Sequence, residues 1–115
     1  MAKYECNLQG NFDDFLQFLG NEILKESVSA TCEDGSDYTI NGVRCAVRIY
    51  ERYSMIGSNR VSLSVTLIGS DEELFVSAIA SGGSQAVFFK INTIGEQNFL
   101  QQAIDIIGKY KAGGQ

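Results

Sequence analysis

Between residues 43 and 52 the chain alternates without a break, with Val43, Cys45, Val47 and Ile49 on one side and Arg44, Ala46, Arg48, Tyr50 and Arg52 on the other. Successive side chains of a β-strand point to opposite faces, so a period of two over this length specifies a strand and assigns each residue to a face. Arg44, Arg48 and Arg52 recur at every fourth position and must share one side of a sheet. Every arginine of the chain falls between Arg44 and Arg60, which makes this row the most distinctive charged surface the sequence specifies. The planar fork of arginine suits a carboxylate or a phosphate. Arg44, Arg48, Tyr50 and Arg52 are accordingly the candidate ligand-binding residues, against the plainer reading of a solvated face whose charges pair with nearby acids.

A second alternation follows, in which Val61, Leu63, Val65 and Leu67 interleave with Ser62, Ser64 and Thr66. Pairing the two strands with their apolar rows together sets the arginines beside the Ser/Thr row. Upstream, Tyr4, Cys6 and Leu8 give a short opening strand, and Val28, Ala30 and Cys32 alternate with Ser29, Thr31 and Glu33 up to a turn signal at Asp34-Gly35. Asn41-Gly42 is the signal of a tight hairpin or bulge. Downstream, residues 74–80 form a strand, Ser81-Gly82-Gly83-Ser84 turns the chain, and residues 86–91 make a further strand.

Two stretches carry the helical period instead. Phe12, Phe15, Leu16, Leu19 and Ile23 mark a helix ending near Lys25 or Glu26, with Asn11 as N-cap and Asp13 and Asp14 in the first turn, where the helix dipole favours acids. Gly20 lies on the apolar stripe, where a glycine costs about 1 kcal/mol relative to alanine; its use is close approach of the helix to a sheet. Thr93-Ile94-Gly95-Glu96 reads as a capping box. It opens a last helix whose stripe is Phe99, Leu100, Ala103, Ile104, Ile107 and Tyr110, with Gly108 on its border and residues 112–115 as a frayed tail. With no repeat, low-complexity tract or linker, residues 1–111 form one α+β domain. The expected architecture is a curved antiparallel sheet of about five strands in strand-helix-meander-helix order, with the N- and C-terminal helices on one face.

Composition excludes more chemistry than it suggests. The net charge is −5 and the acids are spread along the whole length, which disfavours binding to nucleic acid or to an anionic membrane. No run is apolar for long enough to cross a bilayer, and the opening Met-Ala-Lys-Tyr-Glu-Cys lacks a secretory apolar run, so the expected location is the cytoplasm. Cys6, Cys32 and Cys45 are odd in number, lack C-x-x-C spacing and fall at expected inward positions, as buried free thiols do. There is no histidine, which removes the commonest general base and metal ligand. No pair of acids stands out, so no catalytic residue, metal ligand or cofactor is assigned. An enzyme using Arg44, Arg48 and Tyr50 on an anionic substrate ranks last among the readings.

Residues 74–80 hold a surplus. Leu74, Val76 and Ala78 take one side, but Phe75 and Ile79 take the other, and Phe88 opposes Val87 and Phe89. One sheet cannot bury both faces against two helices on a single side. Phe75, Ile79 and Phe88 therefore line a cavity wall or sheet edge, or form an exposed patch that marks an interface. The interface reading is preferred, with simple core packing of these side chains as the plainer alternative, and it implies a homo-oligomer, a two-fold dimer being the commonest form.

Gly82-Gly83-Ser84-Gln85, the following Phe88-Phe89-Lys90-Ile91-Asn92-Thr93 and then Gly95-Glu96 resemble the hallmark stretch of a family of small bacterial proteins known only as a domain of unknown function. The similarity spans nearly the whole chain, and Ala86 stands where that pattern has glycine. What it implies is a protein with no assigned activity, cofactor or catalytic residue. The order of elements is also similar to the helix-grip and TATA-binding-protein-like folds. A helix-grip carrier would hold a small apolar or amphipathic ligand between Leu100, Ile104, Ile107 and the row Val61, Leu63, Val65, although fold alone does not fix function. The leading expectation is a cytosolic, non-catalytic binding or interaction module that self-associates. The carrier is the alternative, and a small-molecule or anionic ligand is a further candidate partner.

Overall fold

The computed structural model describes residues 1–53, 60–82 and 89–113. Along the chain run β1 (Ala2–Gln9), α1 (Phe12–Glu26), β2 (Thr31–Ile40), β3 (Val43–Tyr53), β4 (Arg60–Ser70), β5 (Glu73–Gly82) and α2 (Phe89–Gly113). The strands make one five-stranded sheet in the order β1-β5-β4-β3-β2, antiparallel throughout. From β3 to β5 each strand pairs with its predecessor, as the expected meander requires. α1 carries the chain from one edge of the sheet, β1, to the other, β2.

Local signals explain these elements. The Asn11 side chain accepts from the Asp14 N–H at 2.9 Å and caps α1. Phe12, Phe15, Leu19 and Ile23 then fall on one face and are buried. The β2–β3 turn is made by Asn41 (φ 52°) and Gly42 (φ 79°), with Ile40 directly opposite Val43. Two successive left-handed residues are what a two-residue hairpin demands, and asparagine and glycine reach them at least cost.

The core lies on one side of the sheet only. It joins Phe15, Leu19 and Ile23 of α1 and Phe99, Ala103, Ile106 and Ile107 of α2 to Val61, Leu63, Val65 and Leu67 of β4 and Leu74, Val76, Ala78 and Ala80 of β5. Tyr110 of α2 meets Phe15 edge-on at 4.9 Å and Phe18 at 5.4 Å, which locks the helices together.

Several expectations are corrected by the register. Residues directly opposite on paired strands share a face. Arg44 stands opposite Gly69, Arg48 opposite Val65 and Arg52 opposite Val61, so the arginine row lies on the helix side, in line with the apolar row of β4 and not with its Ser/Thr row. It is the row Val43, Cys45, Val47 and Ile49 that faces away from the helices. The strand expected from Val28 begins at Thr31, and Val28 is fully exposed in the connection before it. Asp34-Gly35 does not turn the chain: the register shifts between Cys32 and Asp34, a bulge within β2. Cys32 is exposed, so only Cys6, half-buried against the core, resembles the expected inward thiol.

The C-terminal half of the expected strand 86–91 is helical, because α2 begins at Phe89; residues 83–88, with the rest of that strand, lie outside the described residues. Glu96, Phe99, Leu100, Ala103 and Ile107 recur at helical spacing and are buried, and the helix they set extends back over residues 89–91 against the local alternation. Thr93 is thus interior to α2 and does not cap it. Glu96 is buried, and its carboxylate accepts from the Gly82 N–H at 2.8 Å, fastening α2 to the end of β5.

Candidate functional site

The sheet has two faces, and the candidate residues divide between them. On the helix side, the arginines cap the rim of the core where α1 and α2 stop short of the β3–β2 edge. The Arg44 guanidinium lies 4.2 Å from the centre of the Phe12 ring and pairs with Asp13 of the same helix at 3.0 Å. Arg48 donates to the Val47 carbonyl at 2.9 Å and pairs with Asp37 of β2 at 3.1 Å. Arg52 lies 4.5 Å over Phe99 of α2 and donates to Gln102, whose amide donates in turn to Glu26. Arg44 and Arg52 thus stack their guanidinium groups on aromatic rings at the margin of the core, whereas Arg48 is held by polar partners.

Tyr50 sits among these arginines but belongs to the core. It is 3% exposed, and burial pushes its phenol up to about 12, with Cys32 raising it further and Arg48 opposing. Such a phenol stays protonated at neutral pH and offers no base. Arg44 is held more strongly protonated by its hydrogen bond to Asp13. Burial instead lowers the pKa of Arg52, whose hydrogen-bond partner is a neutral amide. The structure therefore gathers Arg44, Arg48, Tyr50 and Arg52 on one face, as the sequence specified, and engages each arginine in a contact within the chain.

The opposite face carries the other candidates. Phe75 stands between Asn7 of β1 and Ile68 of β4, and Ile79 between Lys3 and Ser64. Beyond Ile68 the same row continues through Cys45 of β3 to Tyr38 of β2. Tyr38, Cys45, Ile68 and Phe75 thus make an apolar row across four strands, flanked by Val47 in the next row and by Ile49 and Ile79 in the one after. Tyr38 is 65%, Ile40 55% and Ile68 39% exposed, and the buried core of the described residues lies wholly on the other side. Phe88, the third expected interface residue, lies outside the described residues.

Beside this row is a cleft of about 460 Å³ lined by Asn7, Ile68, Ser70, Glu73 and Phe75 among others. It opens at the end of the sheet where the Gly10 N–H donates to the Glu72 carbonyl at 2.9 Å. At the far end of the same face, Arg60 pairs with Glu51 at 2.8 Å and Glu33 at 3.4 Å.

Sequence reasoning missed Tyr38, Ile40, Cys45 and Ile68. One signal was present: Ile68 is an apolar residue in step with Ser62, Ser64 and Thr66, which sets it on the polar side of its own strand. Among the described residues no group of three or more side chains is placed to hold a metal ion, and no helix is long and apolar enough to cross a membrane.

Residues 1–111 match the model of a family of unknown function, DUF6054. The chain belongs to that family. The match extends from β1 into the last turns of α2, so DUF6054 describes the whole α+β unit and both faces of its sheet. No curated protein matches the chain.

Proposed function

We propose that this DUF6054 chain is a non-catalytic interaction module of the bacterial cytoplasm, that its working surface is the helix-free face of the sheet, and that it self-associates there. The observation that carries the reading is the row Tyr38, Cys45, Ile68 and Phe75, which leaves apolar side chains in water across four adjacent strands. Contiguous apolar patches of this kind on soluble proteins mark interaction sites. Three unpaired thiols suit a reducing compartment.

The two other readings have less support. Arg44, Arg48 and Arg52 are already paired, stacked or hydrogen-bonded within the chain, so an anionic ligand there would have to displace existing partners. For the carrier, Val61, Leu63, Val65 and Ile107, which would line the pocket, are buried together in one core.

The test is sedimentation at micromolar concentration of the wild type, Phe75→Glu and Ile79→Glu. A charge in the middle of an apolar interface should weaken association more than tenfold, so a dimeric wild type and a monomeric Phe75→Glu chain are expected. A monomeric wild type refutes the proposal.

A further inference from the structure

The helix-free face is asymmetric in relief, and its two halves fit each other. On the β2 side Tyr38 and Ile40 project into solvent, 65% and 55% exposed. On the other side lies the cleft of about 460 Å³, which spans β1, β5 and β4 and is bordered by Asn7, Gln9, Glu73, Phe75, Ile68 and Ser70. Both sit at the same level along the strands, because Asn7, Phe75, Ile68, Cys45 and Tyr38 are successive partners in one row. β4 is the middle strand of the five, so the projection lies two strands to one side of it, while the cleft reaches from β4 itself to β1, two strands to the other side, where Asn7 and Gln9 line it.

We infer that two copies pack face to face about a two-fold axis running along β4, with Tyr38 and Ile40 of each copy seated in the cleft of the other. This rests on the self-association proposed above and specifies its geometry. Rotation about that axis reverses the strand order and keeps the rows, to within the roughly 30° at which aligned sheets cross. It sets Tyr38 over Asn7, Phe75 over Cys45 and Ile68 over its own counterpart. It also sets Lys3 over Asp34, since Lys3, Ile79, Ser64, Ile49 and Asp34 form another row. The partner is thus complementary in charge as well as in shape.

The alternative axis, running across the strands, lays β1 on β1. It brings Glu5 against Glu5 and Tyr38 against Asp34, and leaves the cleft unfilled. Five strands at about 4.8 Å and about eight residues at 3.4 Å give a face of roughly 650 Å² per copy, close to the roughly 800 Å² per partner of a stable complex.

The experiment uses a chain in which Cys6, Cys32 and Cys45 are replaced by alanine, carrying either Asn7→Cys or Tyr38→Cys, and a short bis-maleimide cross-linker. In each homodimer the two introduced thiols are about four strand spacings apart, roughly 19 Å, whereas in a mixed dimer one of each kind is adjacent. Covalent dimer in the equimolar mixture, and little in either variant alone, is the expected result. Cross-linking of Tyr38→Cys by itself, or none in a mixture that sediments as dimer, overturns this geometry while leaving self-association standing; a monomeric wild type removes both.

A second measurement needs no cysteine replacement. Lys3→Glu and Asp34→Lys should each weaken the dimer roughly threefold, and the double variant should restore it, because exposed pairs contribute at that scale. Additive losses in the double variant overturn the Lys3–Asp34 contact and with it the axis along β4.

Discussion

Gly20 of α1 is set so close to Tyr50 of β3 that a Cβ at the glycine would lie 2.8 Å from the tyrosine hydroxyl oxygen. Tyr50 is buried, so its ring has little room to yield. Gly20→Ala should therefore destabilise the fold by about 1 kcal/mol even though alanine is the better helix former. Adding Tyr50→Phe removes the hydroxyl and should recover most of that loss, a coupling that urea unfolding of the single and double variants measures. Gly108 of α2 has nothing within 4 Å of its would-be Cβ. Gly108→Ala should stabilise by up to about 1 kcal/mol. Equal signs at the two sites would contradict this placement of α1.

These two glycines show what the sequence could and could not reveal. Both sit beside an apolar helical stripe, and only the tertiary structure tells them apart: Gly20 meets the hydroxyl end of the Tyr50 side chain reaching up from β3, whereas Gly108 borders open space. The same holds for β3 as a whole. Its alternation was unmistakable, but both rows were defensible as the inward one, since four apolar residues faced five that included Ala46 and Tyr50. What decided the matter was the pairing Arg48–Val65, a long-range register that no local pattern encodes. The Asn11 cap, the Asn41-Gly42 turn and the split of Leu74, Val76 and Ala78 from Phe75 and Ile79 were legible because each depends on a few neighbouring residues. Residues 89–91 misled for the opposite reason, their alternation being local and their helix set by the stripe that follows.

Arg52 and Arg44 should differ in their importance for stability. Arg44 is 40% exposed and paired with an exposed acid, a solvent-screened contact that contributes little to stability. Arg52 shields Phe99, which is fully buried, and links to Gln102 between β3 and α2. Arg52→Ala should cost about 1–2 kcal/mol and Arg52→Met clearly less, since methionine keeps the apolar cover. Chemical denaturation of the three variants decides it. If Arg52→Met costs as much as Arg52→Ala, the charge and not the stem is what the core rim needs.

The pH dependence has two limbs with different owners. The Arg44 hydrogen bond lowers the pKa of Asp13, and those of Lys25 and Lys109 lower that of Glu22. A lowered carboxyl contributes stability above its ordinary range, near 4, and the contribution is lost as pH falls through the folded-state value. Arg44→Gln combined with Lys109→Gln should therefore flatten the acid limb of a stability profile. At the other end, Tyr50 is raised to about 12. Its contribution is complete below the unfolded value near 10, and is lost as pH rises from 10 towards 12, by up to about 3 kcal/mol. Tyr50→Phe should abolish that part of the alkaline loss, read from thermal melts between pH 9 and 12. An unchanged alkaline limb would mean that the phenol is hydrated in the folded protein.

The native thiols offer a test of the working face that requires no substitution. Cys45 is half-buried and stands in the row between Tyr38 and Ile68, whereas Cys32 is exposed and opposite Tyr50 on the helix side. If copies associate through the helix-free face, Cys45 becomes covered in the dimer and Cys32 does not. Alkylation by iodoacetamide, read residue by residue by mass spectrometry, should then slow at Cys45 as protein concentration rises through the dissociation constant. The rate at Cys32 should not change, which removes any global effect on folding or on reagent supply. Phe75→Glu, by keeping the chain monomeric, should hold Cys45 at its fast rate at every concentration. Equal and concentration-independent rates at Cys45 in the wild type would place the contact between copies, if there is one, away from this face.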